Sequence, residues 1–136
     1  RGLLQHEAVT QTLQMAAGAD VALVGIGGTD DSCTMVRSGC LTIEEMGRLR
    51  SEGAVGDILG NYVDVHGEHI ESPHSRRLIG LSIDQLRQIE TVVAVVSGDE
   101  KPLSILGVLH AGIVDVLIVD ERNARAVLDM ASNGGT

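Results

Sequence analysis

Thr91-Val-Val-Ala-Val-Val96-Ser-Gly-Asp-Glu-Lys101-Pro-Leu-Ser-Ile-Leu-Gly-Val-Leu-His-Ala-Gly112 decides the fold class of this chain. The run Thr91–Val96 is almost entirely apolar, as in strands that are buried on both faces of a parallel sheet. A short turn follows, and Pro102–Ala111 then has the apolar spacing of a helix that Gly112 would end. A buried strand followed by such a helix is one unit of an α/β fold.

Strand patterns recur on both sides of this stretch. Ile58–Val65 alternates loosely and predicts the first arm of a hairpin or an excursion from the sheet. Because Val21–Ile26, Val92–Val96 and Val116–Val119 are apolar on two sides, we expect them to be central and parallel. The complete set of predicted strand segments is Asp20–Ile26, Ile58–Val65, Leu78–Leu81, Thr91–Val96 and Val116–Val119.

Helix patterns separate the strands. Capping boxes pair Thr42 with Glu45 and Ser82 with Gln85, and Asp120 is a cap for the last helix. We expect Ser132–Thr136 to be a frayed end. The sequence therefore predicts an α/β fold with a doubly wound, mostly parallel sheet and helices on both faces. The predicted helices are Glu7–Ala17, Thr42 to about Glu52, Ser82 to about Ile89, Pro102–Ala111 and Glu121–Ala131.

The composition of the 136 residues excludes several classes of function. The formal net charge is −9 and Tyr62 is the only Phe, Trp or Tyr, so nothing here suits a phosphate backbone or stacked bases. We expect these residues not to bind DNA by themselves. No apolar run reaches the about 20 residues of a membrane-spanning helix, so no membrane partner is predicted. Cys33 and Cys40 have no zinc spacing, which is typical of reduced thiols in a cytosolic protein.

Lys101 is the only lysine and lies at the start of the helix that follows the strand Thr91–Val96. Helix N-termini present free N–H groups to phosphates and carboxylates, and Gly98 lets the backbone come close to a ligand. We therefore interpret Lys101 as part of an anion site. The alternative is a solvated lysine that pairs with Asp99 or Glu100.

Asp57 follows the glycine-flanked segment Gly53-Ala-Val-Gly56. Its carboxylate could bind sugar hydroxyls or act as a general base, and a cap or turn is the alternative that the local sequence favours. Gly25-Ile-Gly27-Gly28 lacks the third glycine of a dinucleotide motif because Asp30 stands there. A turn that lines a ligand mouth at the carboxyl ends of the strands is the better interpretation.

Other polar clusters have weaker interpretations. Asp30-Asp31 could hold a divalent cation, although solvated loop acids are commoner. His66, His69 and His74 could bind a metal only if the turn that contains them brought the rings together. Neither a nucleophile elbow nor a base beside a cysteine is present. We predict no catalytic residue, no metal site and no cofactor.

Five strings, in order from about Asp20 to Met130, resemble the C-terminal effector-binding domain of the SorC family of bacterial transcriptional regulators. Each string alone is a weak match, but the series with this spacing is specific. They are Ala22-Leu-Val-Gly-Ile-Gly27, Gly53-Ala-Val-Gly-Asp-Ile-Leu-Gly-Asn-Tyr-Val-Asp64, Arg77-Leu-Ile-Gly-Leu-Ser82, Ser97-Gly-Asp-Glu-Lys-Pro-Leu-Ser-Ile105 and Gly112-Ile-Val-Asp-Val-Leu-Ile-Val-Asp-Glu121.

This resemblance implies an effector domain related in fold to sugar-phosphate isomerases, deaminases and CoA transferases. Such domains bind a phosphorylated sugar or a similar metabolite and signal to a helix-turn-helix. By this resemblance Asp57 contacts ligand hydroxyls and Lys101 contacts the charged end, with Gly27, Gly28 and Gly98 beside them. A homo-oligomer, dimer or tetramer, is implied. The family often has Gly-Gly where this chain has Ser97-Gly98, a change of little consequence.

The resemblance also implies that part of the domain is missing. The family's first strand, phosphate loop and helix, and its DNA-binding region, precede these strings. We therefore expect residues 1–136 to be the C-terminal portion of one effector-binding domain, an incomplete fragment without the helix-turn-helix. The sequence begins with Arg1 and not with Met, which also indicates a longer polypeptide.

Three functions remain open from the sequence. The first is a ligand-sensing module of a transcription regulator, cytoplasmic and not an enzyme. The second is a sugar-phosphate isomerase or deaminase with Asp57 as base, which would need a second acid or base such as the loop acids Asp30 and Asp31. The third is an oligomerisation domain with a vestigial pocket.

Overall fold

The computed structural model describes residues 2–98 and 101–133 of the chain. A 3-10 turn at Leu3–Gln5 precedes the first helix. The helices are α1 (Glu7–Ala17), α2 (Thr34–Arg37), α3 (Ile43–Ser51), α4 (Ile83–Arg87), α5 (Pro102–His110) and α6 (Glu121–Asn133). The strands are β1 (Val21–Gly27), β2 (Gly56–Ile58), β3 (Asn61–Val63), β4 (Thr91–Val96) and β5 (Val116–Val119).

The strands form one mixed sheet in the order β3-β2-β1-β4-β5. β1, β4 and β5 are parallel neighbours, as predicted. β2 and β3 form an antiparallel hairpin, and β2 pairs with β1 only at Ile26 and Gly27. The α/β class with parallel strands is confirmed. The central position expected for Val116–Val119 is wrong, because the chain after β5 forms α6 and β5 ends the strand order.

Two predicted strands differ from the structure. Ile58–Val65 is not a single arm, since a turn at Leu59 and Gly60 with φ of 52° and 80° divides it into two short strands. Positive φ at both central residues is typical of two-residue hairpin turns. Leu78–Leu81 is not a strand, because its polar backbone groups have other partners. Leu78 N–H donates to a turn carbonyl, and Leu81 O accepts from Asn61 Nδ2.

The helix starts that depend on capping are confirmed. Thr42 and Glu45 form a complete capping box at α3, and Ser82 and Gln85 form another at α4. Asp120 Oδ1 accepts from the N–H three residues later at a distance of 3.0 Å. The expected frayed end is wrong for its first two residues, which belong to α6, and residues 134–136 lie outside the described part.

Helices lie on both faces of the sheet. The face that we call face one packs against α5 and α6, and its buried residues include Val24, Ile26, Val92, Ala94 and Val96 with Ile105, Val108 and Val127. The opposite face, face two, is covered at the hairpin, where Tyr62 packs with Met46 and Leu49 of α3. The predicted two-sided packing is therefore present at the hairpin end.

The rest of face two is apolar but exposed. Leu23 is 74% exposed and Ile118 is 54% exposed. They share this surface with Val21, Val95 and Val116, which alternate along the strands with residues of face one. Two-sided burial of β1, β4 and β5 is thus not seen, because the described helices do not cover this area.

An exposed apolar area of this kind favours association. We expect the 136-residue chain, produced alone, to self-associate in the micromolar range, and the double variant Leu23→Lys/Ile118→Lys to be largely monomeric. Ile79→Lys, at an exposed position in a loop, is the control and should leave association unchanged. Sedimentation velocity distinguishes the outcomes, and equal association of all three proteins would contradict a role for this face.

Candidate functional site

The candidate site lies where β1 ends and β2 begins. Gly27, the last residue of β1, is the register partner of Asp57 in β2. The carboxyl group lies across the glycine, so closely that a methyl group at Gly27 would collide with Asp57 Oδ1. The glycine that the sequence assigns to a tight turn therefore makes room for the buried carboxyl group.

Asp57 is buried and has a structural partner. Its Oδ2 accepts a hydrogen bond of 2.8 Å from Gly60 N–H, at the turn of the hairpin. Burial raises the pKa of Asp57, while the Gly60 amide and the charge of Lys101 oppose the rise. The turn role that the local sequence favours is thus present, with Asp57 Oδ1 on the other side of the carboxyl group, toward Gly27.

Lys101 reaches the same place from the start of α5. It is the N-cap residue, one position before the helix begins. A methyl group at Gly28 would lie 3.3 Å from Lys101 Nζ and 3.2 Å from Asp30 Oδ2. A hydrogen bond from the Ser32 hydroxyl is the main cause of the lowered pKa of Asp30, and Lys101 adds to it. The structure therefore brings Lys101, Asp30 and Asp57 together around two glycines.

Gly98, which follows β4, is held by a residue to which no sequence motif pointed. Asn123, 2% exposed, donates a hydrogen bond of 2.8 Å from Nδ2 to Gly98 O. The same amide group donates to Asp120 Oδ2 at 2.6 Å. Gly98 has a φ of 109°, which strongly favours glycine. The alternative partners of Lys101, Asp99 and Glu100, lie outside the described residues.

Two further residues hold the loops around the site. The Ser104 hydroxyl in α5 donates 2.7 Å to Val55 O and lies 3.8 Å from the place of a methyl group at Gly28. Arg50 donates 2.9 Å to Thr29 O and pairs with Asp31 at 2.7 Å. No sequence motif singled out either residue, because both act through contacts between segments that are distant in sequence.

The acidic pair, the histidines and the cysteines considered in the sequence analysis do not form a common site within the described residues. Asp30 binds Ser32 whereas Asp31 pairs with Arg50. Within residues 2–98 and 101–133, no three His, Cys, Asp or Glu side chains are grouped as metal ligands. Both cysteines are free thiols, Cys33 buried and Cys40 exposed. A cleft of about 170 Å³ at α3, which His74 lines, contains none of the predicted site residues. None of the helices in the described part is long and apolar enough to span a membrane.

The arrangement suits a ligand with two different ends. Lys101 supplies a cation for an anionic group, and glycine backbone nearby allows close approach. Asp57 supplies a carboxyl group that can bind a hydroxyl. Because the chain as a whole has a net charge of −9, attraction for an anion must be local to Lys101.

Comparison with known proteins identifies the family of the chain. Residues 1–129 match the family described as "Putative sugar-binding domain". The chain belongs to this family. It is 37% identical over 134 residues to the transcriptional regulator LsrR of Klebsiella pneumoniae, covering 96% of this chain and 42% of that protein. It is 32% identical over 126 residues to the erythritol catabolism regulatory protein EryD of Brucella abortus, covering 93% of this chain and 40% of EryD.

Solved structures of the sugar-binding domain family have the same fold. A "putative sugar-binding domain of transcriptional repressor" from Vibrio fischeri is 39% identical with a TM-score of 0.86, and 96% of this chain covers 52% of it. The full-length sorbitol operon regulator SorC from Klebsiella pneumoniae is 27% identical with a TM-score of 0.84, covering 93% of this chain and 41% of SorC. The resemblance to the SorC family is confirmed. The chain spans about two fifths of the length of these curated relatives.

Proposed function

We propose that this chain is the ligand-sensing part of a transcriptional regulator and that it binds a phosphorylated sugar or a related metabolite at Gly27, Gly28, Asp57, Gly98 and Lys101. The observation that supports this best is the convergence of the Lys101 ammonium and the Asp57 carboxyl group on two adjacent glycines. Relatives that are named as regulators support the class of protein.

The two charged residues have different tasks in this proposal. Lys101 binds the phosphate, and the backbone at Gly28 and Gly98 comes close to it. Asp57 accepts hydrogen bonds from sugar hydroxyls through Oδ1, while Oδ2 remains bonded to the hairpin turn. Binding energy is thereby divided between an end that all phosphate esters share and an end that differs among sugars.

The remaining parts of the proposal concern the whole regulator. DNA contact is made by a region outside this chain, since a net charge of −9 and a single lysine give these residues no basic face. The regulator is cytoplasmic, is not an enzyme and works as a homo-oligomer, a dimer or tetramer. No cofactor takes part in ligand binding.

Substitution of the two charged residues in the full-length regulator tests the proposed function. A charge-assisted hydrogen bond contributes about 1.5–3 kcal/mol, so Lys101→Met should weaken binding of phosphosugars by roughly tenfold to a hundredfold. It should leave any residual binding of the free sugars nearly unchanged. Asp57→Asn should weaken both kinds of ligand, because the hydroxyl contacts are common to them.

Thermal shifts with ribose 5-phosphate, glucosamine 6-phosphate and their dephosphorylated forms report these changes, since a ligand that binds only the folded state stabilises it. Arg48→Met, which removes an exposed cation on α3 at a distance from the site, is the matched control. Equal losses for phosphorylated and free sugars in Lys101→Met would show that Lys101 does not bind the phosphate.

The position of Asp30 favours the second candidate function, a sugar-phosphate isomerase or deaminase. It lies by Lys101 and Gly28, and its pKa is lowered whereas that of Asp57 is raised. Two carboxyl groups whose pKa values are shifted apart can act as base and acid. Incubation with ribose 5-phosphate or glucosamine 6-phosphate distinguishes the alternatives, because turnover that Asp57→Asn abolishes would establish an enzyme.

A further inference from the structure

Tyr62 lies next to Asp57 in the hairpin, and packing alone does not explain its buried hydroxyl group. The two residues are register partners in β2 and β3, so their side chains are neighbours on face two. Tyr62 is completely buried, and its phenol oxygen has no hydrogen-bond partner within the described part of the chain. Burial raises the pKa of Tyr62, and the nearby charge of Asp57 raises it further, so the phenol keeps its proton.

His74 is the second buried polar group at this place. Its ring meets the ring of Tyr62 edge-on, with the centroids 6.1 Å apart. His74 Nε2 also has no hydrogen-bond partner among residues 2–98 and 101–133. A methyl group at Gly60 would lie 3.7 Å from that nitrogen, and Gly60 is the residue whose N–H holds Asp57. Asp57, Tyr62 and His74 are therefore consecutive neighbours behind the candidate site.

The other groups that act on these two side chains are the thiols of Cys33 and Cys40 at Tyr62 and the charges of Arg77 and Glu45 at His74, and none of them forms a hydrogen bond with the phenol oxygen or with His74 Nε2 in the described part of the chain. Tyr62 belongs to a buried cluster whose other members include Cys33, Leu41, Met46 and Leu49, which are apolar or weakly polar. A buried polar group without a partner lowers the stability of the folded state. Phenylalanine and leucine would fill the same space without this cost. The polar atoms thus indicate a function that the packing does not explain.

We propose that Tyr62 and His74 are positioning residues for Asp57, which close into a hydrogen-bonded chain when a ligand hydroxyl binds the Asp57 carboxyl group. In that chain His74 Nε2–H donates to the phenol oxygen of Tyr62, and the Tyr62 O–H donates to the carboxyl group. Every donor then has one acceptor. This hydrogen-bonded chain of side chains rests on the proposed function. Its effect is confined to the hydroxyl end of a sugar phosphate or polyol phosphate.

The geometry makes the effect selective. Tyr62 pairs with Asp57 across the hairpin and His74 contacts Tyr62, whereas Lys101 Nζ lies near Gly28. A donor that faces the carboxyl group fixes its orientation for a hydroxyl and does nothing for a phosphate. Loss of these hydrogen bonds should therefore change the ratio of the affinities for hydroxylated phosphate esters and for inorganic phosphate. A defect in folding would not change that ratio.

Tyr62→Phe in the full-length regulator is the decisive variant. The probes are ribose 5-phosphate, glucosamine 6-phosphate, glycerol 3-phosphate and inorganic phosphate. Tyr62 acts through Asp57 and does not contact the ligand, so we expect its loss to cost only about 0.5–1.5 kcal/mol of binding free energy, which raises the dissociation constant for the tightest ester about threefold to tenfold. Binding of inorganic phosphate should not change. The melting temperature without ligand should stay equal or rise, because an unpartnered polar atom is removed.

Two further pairs of variants complete the test. His74→Leu should weaken the ester as Tyr62→Phe does, and His74→Gln, which keeps an N–H donor, should restore most of the affinity. Met46→Leu changes packing in the same cluster and should leave the preference unchanged. Unchanged ester binding in Tyr62→Phe, or an equal loss for inorganic phosphate, overturns the positioning role. A wild-type regulator that binds none of the four probes overturns the proposed function, and the positioning role with it.

Discussion

Replacement of Gly107 by alanine is expected to cost about 2–4 kcal/mol of stability, although alanine in the middle of a helix is ordinarily the better residue. Gly107 lies in α5 where this helix crosses the hairpin. An added methyl group would be 2.5 Å from Asp64 O and 2.6 Å from Val55 Cγ2. A backbone carbonyl cannot turn away as the end of a side chain can, so α5 and the hairpin must separate.

Movement of α5 away from the hairpin should also disturb the candidate site. Lys101 directly precedes α5, and Ser104 in α5 donates a hydrogen bond to Val55 O. Gly47→Ala in α3 is the matched control. Its methyl group would meet nothing closer than 4.0 Å, so a gain of about 0.5–1 kcal/mol is expected. Urea unfolding of both variants measures the difference, and a Gly107→Ala protein as stable as the control would refute the close crossing of α5 over the hairpin.

The parts of the fold that follow from local chemistry could be predicted from the sequence. The capping boxes at Thr42 and Ser82 fix helix starts through contacts only three residues apart. The Val-rich run of β4 predicts a strand, because its apolar residues do not have the spacing of one face of a helix. The end of α1 depends on a contact that is equally local, because the Gly18 N–H donates to the Gln14 carbonyl in the last turn of the helix.

The parts that depend on distant partners could not be predicted. Leu78–Leu81 has the composition of a strand. However, the Leu81 carbonyl accepts a hydrogen bond from the Asn61 side chain, and the Leu78 N–H donates to the carbonyl of His74 in a turn. β2 and β3 are only three residues each, too short for alternation to be visible.

The candidate site divides in the same way. Lys101 could be identified because it is the only lysine and follows a strand, whereas nothing in the sequence connects Asn123 with Gly98 across 25 residues. The pairing of Asp57 with Tyr62 is likewise a matter of hairpin register. Register depends on the turn at Leu59 and Gly60, whose positive φ at a leucine is not apparent from residue type.

Asp57→Asn is expected to stabilise the ligand-free protein at neutral pH while it weakens ligand binding. Burial raises the pKa of Asp57, so the ionised carboxyl group destabilises the folded state. Asparagine has nearly the same shape without the charge. Its side-chain oxygen can keep the bond to Gly60 N–H. The variant should therefore melt at a higher temperature at pH 7 than the wild type.

The pH dependence follows from the direction of the shift. The folded state holds the proton of Asp57 more tightly than the unfolded state, whose pKa is near the ordinary 3.8. Stability from this group is thus fully present below that value and is lost as the pH rises through the higher folded pKa. Each unit of difference between the two pKa values is equivalent to about 1.4 kcal/mol. The advantage of Asp57→Asn should be small in acid, grow with pH and then level off.

The difference between the two unfolding curves isolates this effect from other carboxyl groups, since Asp30, Glu45 and Asp120 have lowered pKa values and act in the opposite direction. Asp31→Asn makes the same chemical change in an exposed ion pair and should bring no gain at any pH. A residue that lowers stability where asparagine would raise it has to be kept for another reason. In the function that we propose, that reason is contact with the hydroxyl groups of the ligand. Unchanged ligand affinity in Asp57→Asn would remove Asp57 from the proposed site, and equal stability of variant and wild type at all pH values would refute the effect of its burial.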